Sequence, residues 1–314
     1  MTETELKDRY AGRKALITGG AGFIGRRLRK KLEALGAEVY SLDSAEGEGP
    51  RALKCDVRDA AALAAAVREI SPEFVFHLAG RVDRTADAAL LRPMLEVNFL
   101  GALNLFEALK KVPVCRAVLL LGTGEEYGRF AEPPFREDYR EDPVGPYSFS
   151  KFCATRLAGL FHRLYGLPAI VLRPTLAYGP GQEAGMFIPS VIETLRRGEK
   201  FAMTAGEQVR DFIFIDDLVS VYLAAGAAGT GFGGIFNIGS GETCSIRDLA
   251  MKIGRLMGRE KLLEIGARPY RPAEIMDYRV DFSKAVKAFG WKPETGLERG
   301  LQLTIAAGEK ADGK

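Results

Sequence analysis

A chain of 314 residues, 47% hydrophobic and 27% charged, is long enough to bury a large core as one domain or two closely joined ones. A formal net charge of +3 gives no electrostatic reason to bind nucleic acid or an anionic membrane, and no apolar stretch is long enough to span a bilayer. The polar start at 1–10 does not read as a signal peptide. Cys55, Cys115, Cys153 and Cys244 show neither C-x-x-C pairing nor metal-ligand spacing, so the expectation is a cytoplasmic protein with reduced thiols and no metal.

Taken in chain order, the first element is the apolar run Ala15-Leu16-Ile17, which empties into Thr18-Gly19-Gly20-Ala21-Gly22-Phe23-Ile24-Gly25. Phe23, Ile24, Leu28, Leu32 and Leu35 then follow at helical spacing. A strand, a tight turn and a helix start in that order form a dinucleotide-binding signature. Gly19 allows the turn, Gly22 lets a phosphate approach the backbone, and Gly25 lets the helix pack on the strand. The helix N-terminus offers free N–H groups and a positive dipole end to a pyrophosphate. Arg26, Arg27, Arg29, Lys30 and Lys31 read as the solvated face of that helix.

From residue 14 to about 173 short apolar runs alternate with helical ones. Strands are expected at 14–18, 38–42, 51–55, 74–78, 117–121 and 169–172, with helices at 23–35, 59–70, 91–111 and 148–165. This is the pattern of an α/β protein with a doubly wound parallel sheet, the Rossmann arrangement. Past Arg173 the order is less regular, broken by Pro174, Gly179, Pro180 and Gly181, with helices expected at 187–197 and 246–257. The division expected is a dinucleotide-binding domain at 1–173, with 211–228 returning to it, and a smaller, mainly substrate-binding part at 174–314. Within the returning segment, 212–215 reads as a strand and 217–228 as a helix. Ligands of such sheets sit beyond the carboxyl ends of the strands.

Asp43 closes the second strand, where a carboxylate accepts both adenosine-ribose hydroxyls and repels a 2′-phosphate, favouring NAD over NADP. Asp56 and Val57 follow the third strand and are placed for the adenine edge, with a plain helix cap as the competing reading for Asp56. Tyr147 and Lys151 lie four residues apart, on one face of a helix. A phenol ionises near pH ~10. A cation beside it stabilises the phenolate and brings base chemistry toward neutral pH. Thr123, after the strand at 117–121, can hydrogen-bond the same substrate oxygen.

Together the T-G-x-x-G-x-x-G of Thr18–Gly25, the Tyr147/Lys151 pair and Thr123 resemble the extended short-chain dehydrogenase/reductases, in their nucleotide-sugar epimerase/dehydratase group. The likeness continues in His77-Leu78-Ala79-Gly80, Asn98, Arg173-Pro174-Thr175, Tyr178-Gly179-Pro180-Gly181 and Arg210-Asp211-Phe212-Ile213. Asn237-Ile238-Gly239-Ser240-Gly241, Arg271-Pro272-Ala273-Glu274 and Gly290-Trp291-Lys292-Pro293 extend it over nearly the whole chain. The resemblance implies that Tyr147 is the acid/base, that Lys151 lowers its pKa and binds the nicotinamide ribose, and that Thr123 holds the sugar oxygen. It implies NAD contacts from Gly19, Gly22, Phe23, Ile24, Gly25, Leu78, Ala79, Gly80 and Asn98, with His77 a packed core residue. Arg210 and Arg271 would clamp a substrate diphosphate, and Glu274 would contact the nucleoside ribose.

Two departures stand out. Leu176 replaces the Asn that often reaches a substrate phosphate in this family. In Gly122-Thr123-Gly124-Glu125-Glu126-Tyr127-Gly128, Gly124 replaces the Asp of many 4,6-dehydratases while Glu125 falls on their Glu. Glu125 could serve an elimination, as in the GDP-mannose type, but the same run also resembles the 4-keto-6-deoxyhexose reductases. Glu126 is expected to be an exposed loop carboxylate.

The reading is hydride transfer at C4 of a nucleoside-diphosphate hexose, in a redox-neutral 4-epimerase or 4,6-dehydratase cycle. A 4-reductase is the alternative, and a non-catalytic dinucleotide-binding sensor or scaffold is the more remote one. The resemblance also implies a homodimer through the helices at 91–111 and 148–165, and loops between 187 and 201 that contact the base.

Overall fold

The computed structural model describes residues 1–47, 49–128, 132–270 and 274–312, and side chains as far as residue 308. Its centre is a seven-stranded sheet built from β1 (Lys14–Thr18), β2 (Glu38–Asp43), β3 (Ala52–Lys54), β4 (Phe74–His77), β5 (Ala117–Leu121), β6 (Ala169–Pro174) and a later strand. The order is β3-β2-β1-β4-β5-β6, and Ile235–Ile238 closes the far edge beside β6; every pairing is parallel. The strands are almost unbroken apolar runs because both faces are covered. Alternate residues divide between the two layers. Ile17, Phe76 and Leu119 point to one face, and Leu16, Val75, Val118 and Leu120 to the other.

The first face is covered by α1 (Glu3–Tyr10), α2 (Phe23–Ala34) and a later helix at Ile215–Ala227. The second is covered by α3 (Ala60–Ile70), the run α4 (Leu91–Met94) and α5 (Gly101–Leu109), and α6 (Pro146–Tyr165). Leu28 and Leu32 of α2 lie one turn apart and are fully buried. Each such side chain contributes roughly 1.5–3 kcal/mol of burial. The opposite side of α2 exposes Arg26, Lys30 and Lys31, whereas Arg27 turns to Asp216 (Nη2–Oδ2 2.6 Å). Between α4 and α5 the helix loosens into a π segment at Leu95–Leu100, which turns Asn98 into the interior.

The remaining strands are β7 (Leu176–Tyr178), β8 (Phe201–Met203), β9 (Val209–Phe214), β10 (the edge strand Ile235–Ile238), β11 (Thr243–Ser245), β12 (Leu263–Ile265) and β13 (Asp277–Tyr278). β9 centres a small sheet with β7, β11 and β13, while β8 and β12 form a ribbon. Helices α7 (Phe187–Arg196), α8 (Ile215–Ala227), α9 (Ile246–Met257), α10 (Ser283–Phe289) and α11 (Leu297–Asp312) complete the chain.

The expected return of 211–228 therefore needs correction. Its helix, α8, packs on the main sheet, but residues 211–214 belong to β9 of the small sheet. The main sheet is instead extended by β10, four residues bordered by Gly233, Gly234 and Gly239. So short a run has no periodicity of its own, and its role is decided by pairing with β6.

Candidate active site

Register carries the carboxyl ends of the strands to one edge, with Thr18 beside Leu42 and His77, His77 beside Leu120, and Leu121 beside Leu172. The turns that leave this edge hold the expected cofactor residues. Gly19 has φ +74°, and a Cβ there would lie 2.6 Å from the Ala79 nitrogen. At Gly25 a Cβ would come within 2.3 Å of the Gly19 carbonyl oxygen. Gly22 caps α2 without any side-chain hydrogen bond, which leaves the first-turn N–H groups of Phe23, Ile24 and Gly25 available to an anion. Asp43 ends β2 and accepts from the Ala21 N–H (3.1 Å), so its carboxylate borders the glycine turn.

These residues fit a dinucleotide: a backbone cradle that side chains would fill, a free helix N-terminus, and a carboxylate at the neighbouring strand end. Asp56, by contrast, spends both oxygens on Arg58 (Nη2–Oδ2 2.6 Å), which holds it below the usual carboxylate range. Val57 is buried against Gly101.

His77 is a core histidine. Its Nδ1 stands 2.6 Å from the Thr18 hydroxyl, which also accepts from the Ala79 N–H, and burial pushes its pKa down to about 3. Leu78, Ala79 and Gly80 run out beside it. Asn98 accepts from the Arg81 N–H (2.8 Å) and donates to the Arg81 carbonyl (3.0 Å) and the Ser150 hydroxyl (2.8 Å). It thus ties the turn after β4 to α6 rather than standing free at the surface.

Thr123 follows β5 and opens a turn that packs against α6, which carries Tyr147 and Lys151; all three are less than one-tenth exposed. Gly145 caps α6 and Pro146 opens it, a combination suited to a helix start, and so Tyr147 enters from the first turn. Thr123 favours the ionised Tyr147 phenol. Burial pushes the Lys151 ammonium down to about 8, opposed by the charge of Glu126. Burial raises the Tyr147 phenol above its ordinary value, as does Glu125, while Arg84 and Thr123 act in the opposite sense. Glu125 is held by Arg84 (2.7 Å), whose guanidinium also lies 5.8 Å from the centre of the Tyr147 ring.

Glu126 is fully buried, not exposed. It completes a capping box: Thr123 accepts from the Glu125 N–H, and Glu126 accepts from the Thr123 N–H (2.9 Å). The T-x-x-E pattern of Thr123-Gly124-Glu125-Glu126 was the available sequence signal.

Tyr278 of β13 is a second residue that sequence reasoning missed. Its hydroxyl donates to the Pro174 carbonyl (3.3 Å). A Cβ at Gly124 would stand 2.6 Å from that hydroxyl, so Tyr278 fills the room in which a side chain at 124 would lie. Leu176 packs against the same aromatic cluster, Tyr127, Phe135 and Tyr278. Gly124 therefore borders Tyr278, and Leu176 borders the cluster to which that tyrosine belongs.

At the substrate end Arg210 lies on β9, beside Tyr278 in register. Burial lowers its pKa, and Glu274 pairs with it (2.6 Å). Arg271 lies outside the described residues. Among the described residues no group of three His, Cys, Asp or Glu could hold a metal ion, and no helix is long and apolar enough to cross a membrane.

Against known proteins, the profile of the NAD dependent epimerase/dehydratase family matches residues 15–239. A UDP-glucose 4-epimerase of Mycolicibacterium smegmatis is 31% identical over 93% of this chain and 97% of its own. A dTDP-glucose 4,6-dehydratase of Xanthomonas campestris pv. campestris is 29% identical over 92% of this chain and 91% of its own. Among solved structures, the UDP-glucose 4-epimerase of Thermotoga maritima with UDP-glucose superposes with a TM-score of 0.87 at 30% identity, covering 95% of this chain and 99% of that one.

Proposed function

The chain belongs to the NAD dependent epimerase/dehydratase family, and we propose that it is a 4-epimerase of a nucleoside-diphosphate hexose. The observation that carries this reading is the packing of the Thr123 turn on α6, with its buried Tyr147 and Lys151, in a fold whose first glycine turn fits a dinucleotide. When bound, NAD supplies the carrier for the C4 hydride. Tyr147 takes the proton of the C4 hydroxyl and returns it to the keto oxygen. Lys151 favours the phenolate through its charge, and Thr123 holds the same oxygen. Arg210 suits the diphosphate, for which Glu274 must release it.

The choice between the two redox-neutral cycles rests on Gly124. Elimination across C5–C6 needs an acid and a base around that bond, and Tyr278 leaves no room for a carboxyl side chain at 124. Glu125 remains, but it is paired to Arg84. Epimerisation asks for neither group.

We further propose a cytoplasmic homodimer. Leu91, Leu100, Phe149, Leu160 and Leu164 leave 37%, 42%, 39%, 40% and 62% of their surface open on α4 to α6, an apolar face that a second copy would cover. A solution mass near 34.2 kDa rather than twice that value would remove the dimer.

The deciding experiment denatures the purified protein, identifies any nucleotide released, and assays UDP-glucose and dTDP-glucose. Stoichiometric NAD with galactose-configured product supports the proposal. NAD with a 4-keto-6-deoxy product replaces it with the dehydratase, and a protein that consumes NADH or NADPH on a 4-keto sugar overturns both.

A further inference from the structure

Glu126 has no exposed surface, although it lies on the turn that carries Thr123. One oxygen accepts from the Thr123 N–H at 2.9 Å, and the other accepts from Arg173 Nε and Nη2 at 3.0 and 2.6 Å. Arg173 is equally buried, donates also to Glu141 (2.9 Å), and lies 4.7 Å from the centre of the Tyr127 ring. Glu141 in turn holds Arg156, so the chain Glu126–Arg173–Glu141–Arg156 is balanced in charge. The fit is tight: a Cβ at Gly122 would be 3.0 Å from both Glu126 Oε1 and Arg173 Cγ.

A buried ion pair is a poor device for stability, because well-packed apolar residues of similar volume often do as well or better. The carboxylate therefore calls for another reason, and its surroundings supply one. We propose that Glu126 is a positioning residue of the catalytic centre: it fixes the Thr123 backbone, and with Arg173 it sets a buried carboxylate on the turn that packs against α6, the helix of Tyr147 and Lys151. This rests on the reading of Tyr147 as the proton carrier.

The groups that face this pair are few. Lys151 is faced by Glu126 and by His77 at the end of β4, which burial keeps neutral. Tyr147 is faced by Glu125, Glu126 and Arg84, and by the phenols of Tyr222 on α8 and Tyr278 on β13. Cys153 of α6 is also near Glu126. Removing the Glu126 charge therefore makes both Lys151 and Tyr147 easier to deprotonate.

The test uses the NAD-loaded enzyme with UDP-galactose and two variants. Glu126→Gln keeps an acceptor for the Thr123 N–H and loses the charge, whereas Glu126→Asp keeps the charge and shortens the reach. For Glu126→Gln we expect kcat to fall roughly 10- to 100-fold, with KM changed by less than about twofold. Both limbs of its pH–kcat profile should move to lower pH. For Glu126→Asp kcat should fall with the limbs in place.

A ¹³C titration of the labelled Lys151 side chain, assigned with Lys151→Arg, should show Lys151 of Glu126→Gln losing its proton at lower pH than in the parent protein. Unmoved limbs together with an unmoved Lys151 titration would overturn the proposal. If Glu126→Gln does not fold, an unchanged kcat in Glu126→Asp overturns it as well. A parent protein that turns over no nucleoside-diphosphate hexose defeats the epimerase reading alone, because the Lys151 titration still decides the role of Glu126.

Discussion

The turn after β1 and the turn after β5 are both glycine-rich and both border the site, but they need glycine for different reasons. At Gly19 and Gly25 the obstacle to a side chain is backbone: the Ala79 nitrogen at 2.6 Å and the Gly19 carbonyl oxygen at 2.3 Å. At Gly122 and Gly124 the obstacle includes side chains: Glu126 and Arg173 on one side of Thr123, Tyr278 on the other. The first turn leaves bare backbone for a phosphate to approach. The second is a mould in which neighbouring side chains crowd the backbone on both sides of Thr123.

The contrast can be broken most directly at the chemistry of the second turn. Tyr147→Phe keeps the packing and should lower turnover by at least ~10²-fold while bound NAD is retained. Full activity in that variant would make the mould a matter of structure alone. Arg210→Ala should raise KM for the nucleotide sugar by roughly 10- to 100-fold, the worth of a hydrogen bond to a charged group, with a smaller change in kcat.

The two kinds of glycine then separate by rescue. Gly25→Ala and Gly124→Ala should each cost about 1–3 kcal/mol. The first should appear as weaker NAD retention, by dialysis and nucleotide release. The second should appear as lower melting temperature and turnover with NAD still bound. In a Tyr278→Phe background, which removes the hydroxyl 2.6 Å from that Cβ and keeps the ring, Gly124→Ala should cost less than in the parent protein. No side-chain trimming should recover Gly25→Ala, because the Gly19 carbonyl cannot be removed. Rescue of both, or of neither, would erase the distinction. The smallest effect is expected at the β2 edge, where Asp43→Ala should weaken NAD by about 0.5–1.5 kcal/mol and narrow the preference over NADP, read by titration of the two cofactors.

What could be read along the chain follows the range over which each feature acts. Gly19, Gly22 and Gly25 are legible because a turn between a strand and a helix is a local event. Tyr147 and Lys151 are legible because four residues bring side chains to one helical face. Thr123 follows the apolar run at 117–121, which is short enough to read as a buried strand. Leu16 and Ile17, or Phe76 and Leu119, announce a sheet covered on both faces by composition alone.

The features that escaped join distant segments. Arg84 comes from a stretch with no motif and meets Glu125 across 41 residues, and Arg173 meets Glu126 across 47. Tyr278 reaches Pro174 from 104 residues away. The edge strand Ile235–Ile238 has too few residues to declare itself until it pairs with β6. Glu126 shows both sides of the matter. Its capping box with Thr123 was written in the local spacing, but its burial was not, because desolvating a carboxylate is tolerable only where a guanidinium from another strand arrives to pair with it. The sequence by itself determined the glycine turn after β1 and the placing of Tyr147 and Lys151 on one helical face, because turn and helix are local. Only the tertiary structure decided what surrounds Thr123, since packing between remote elements selects which side chains share a buried space.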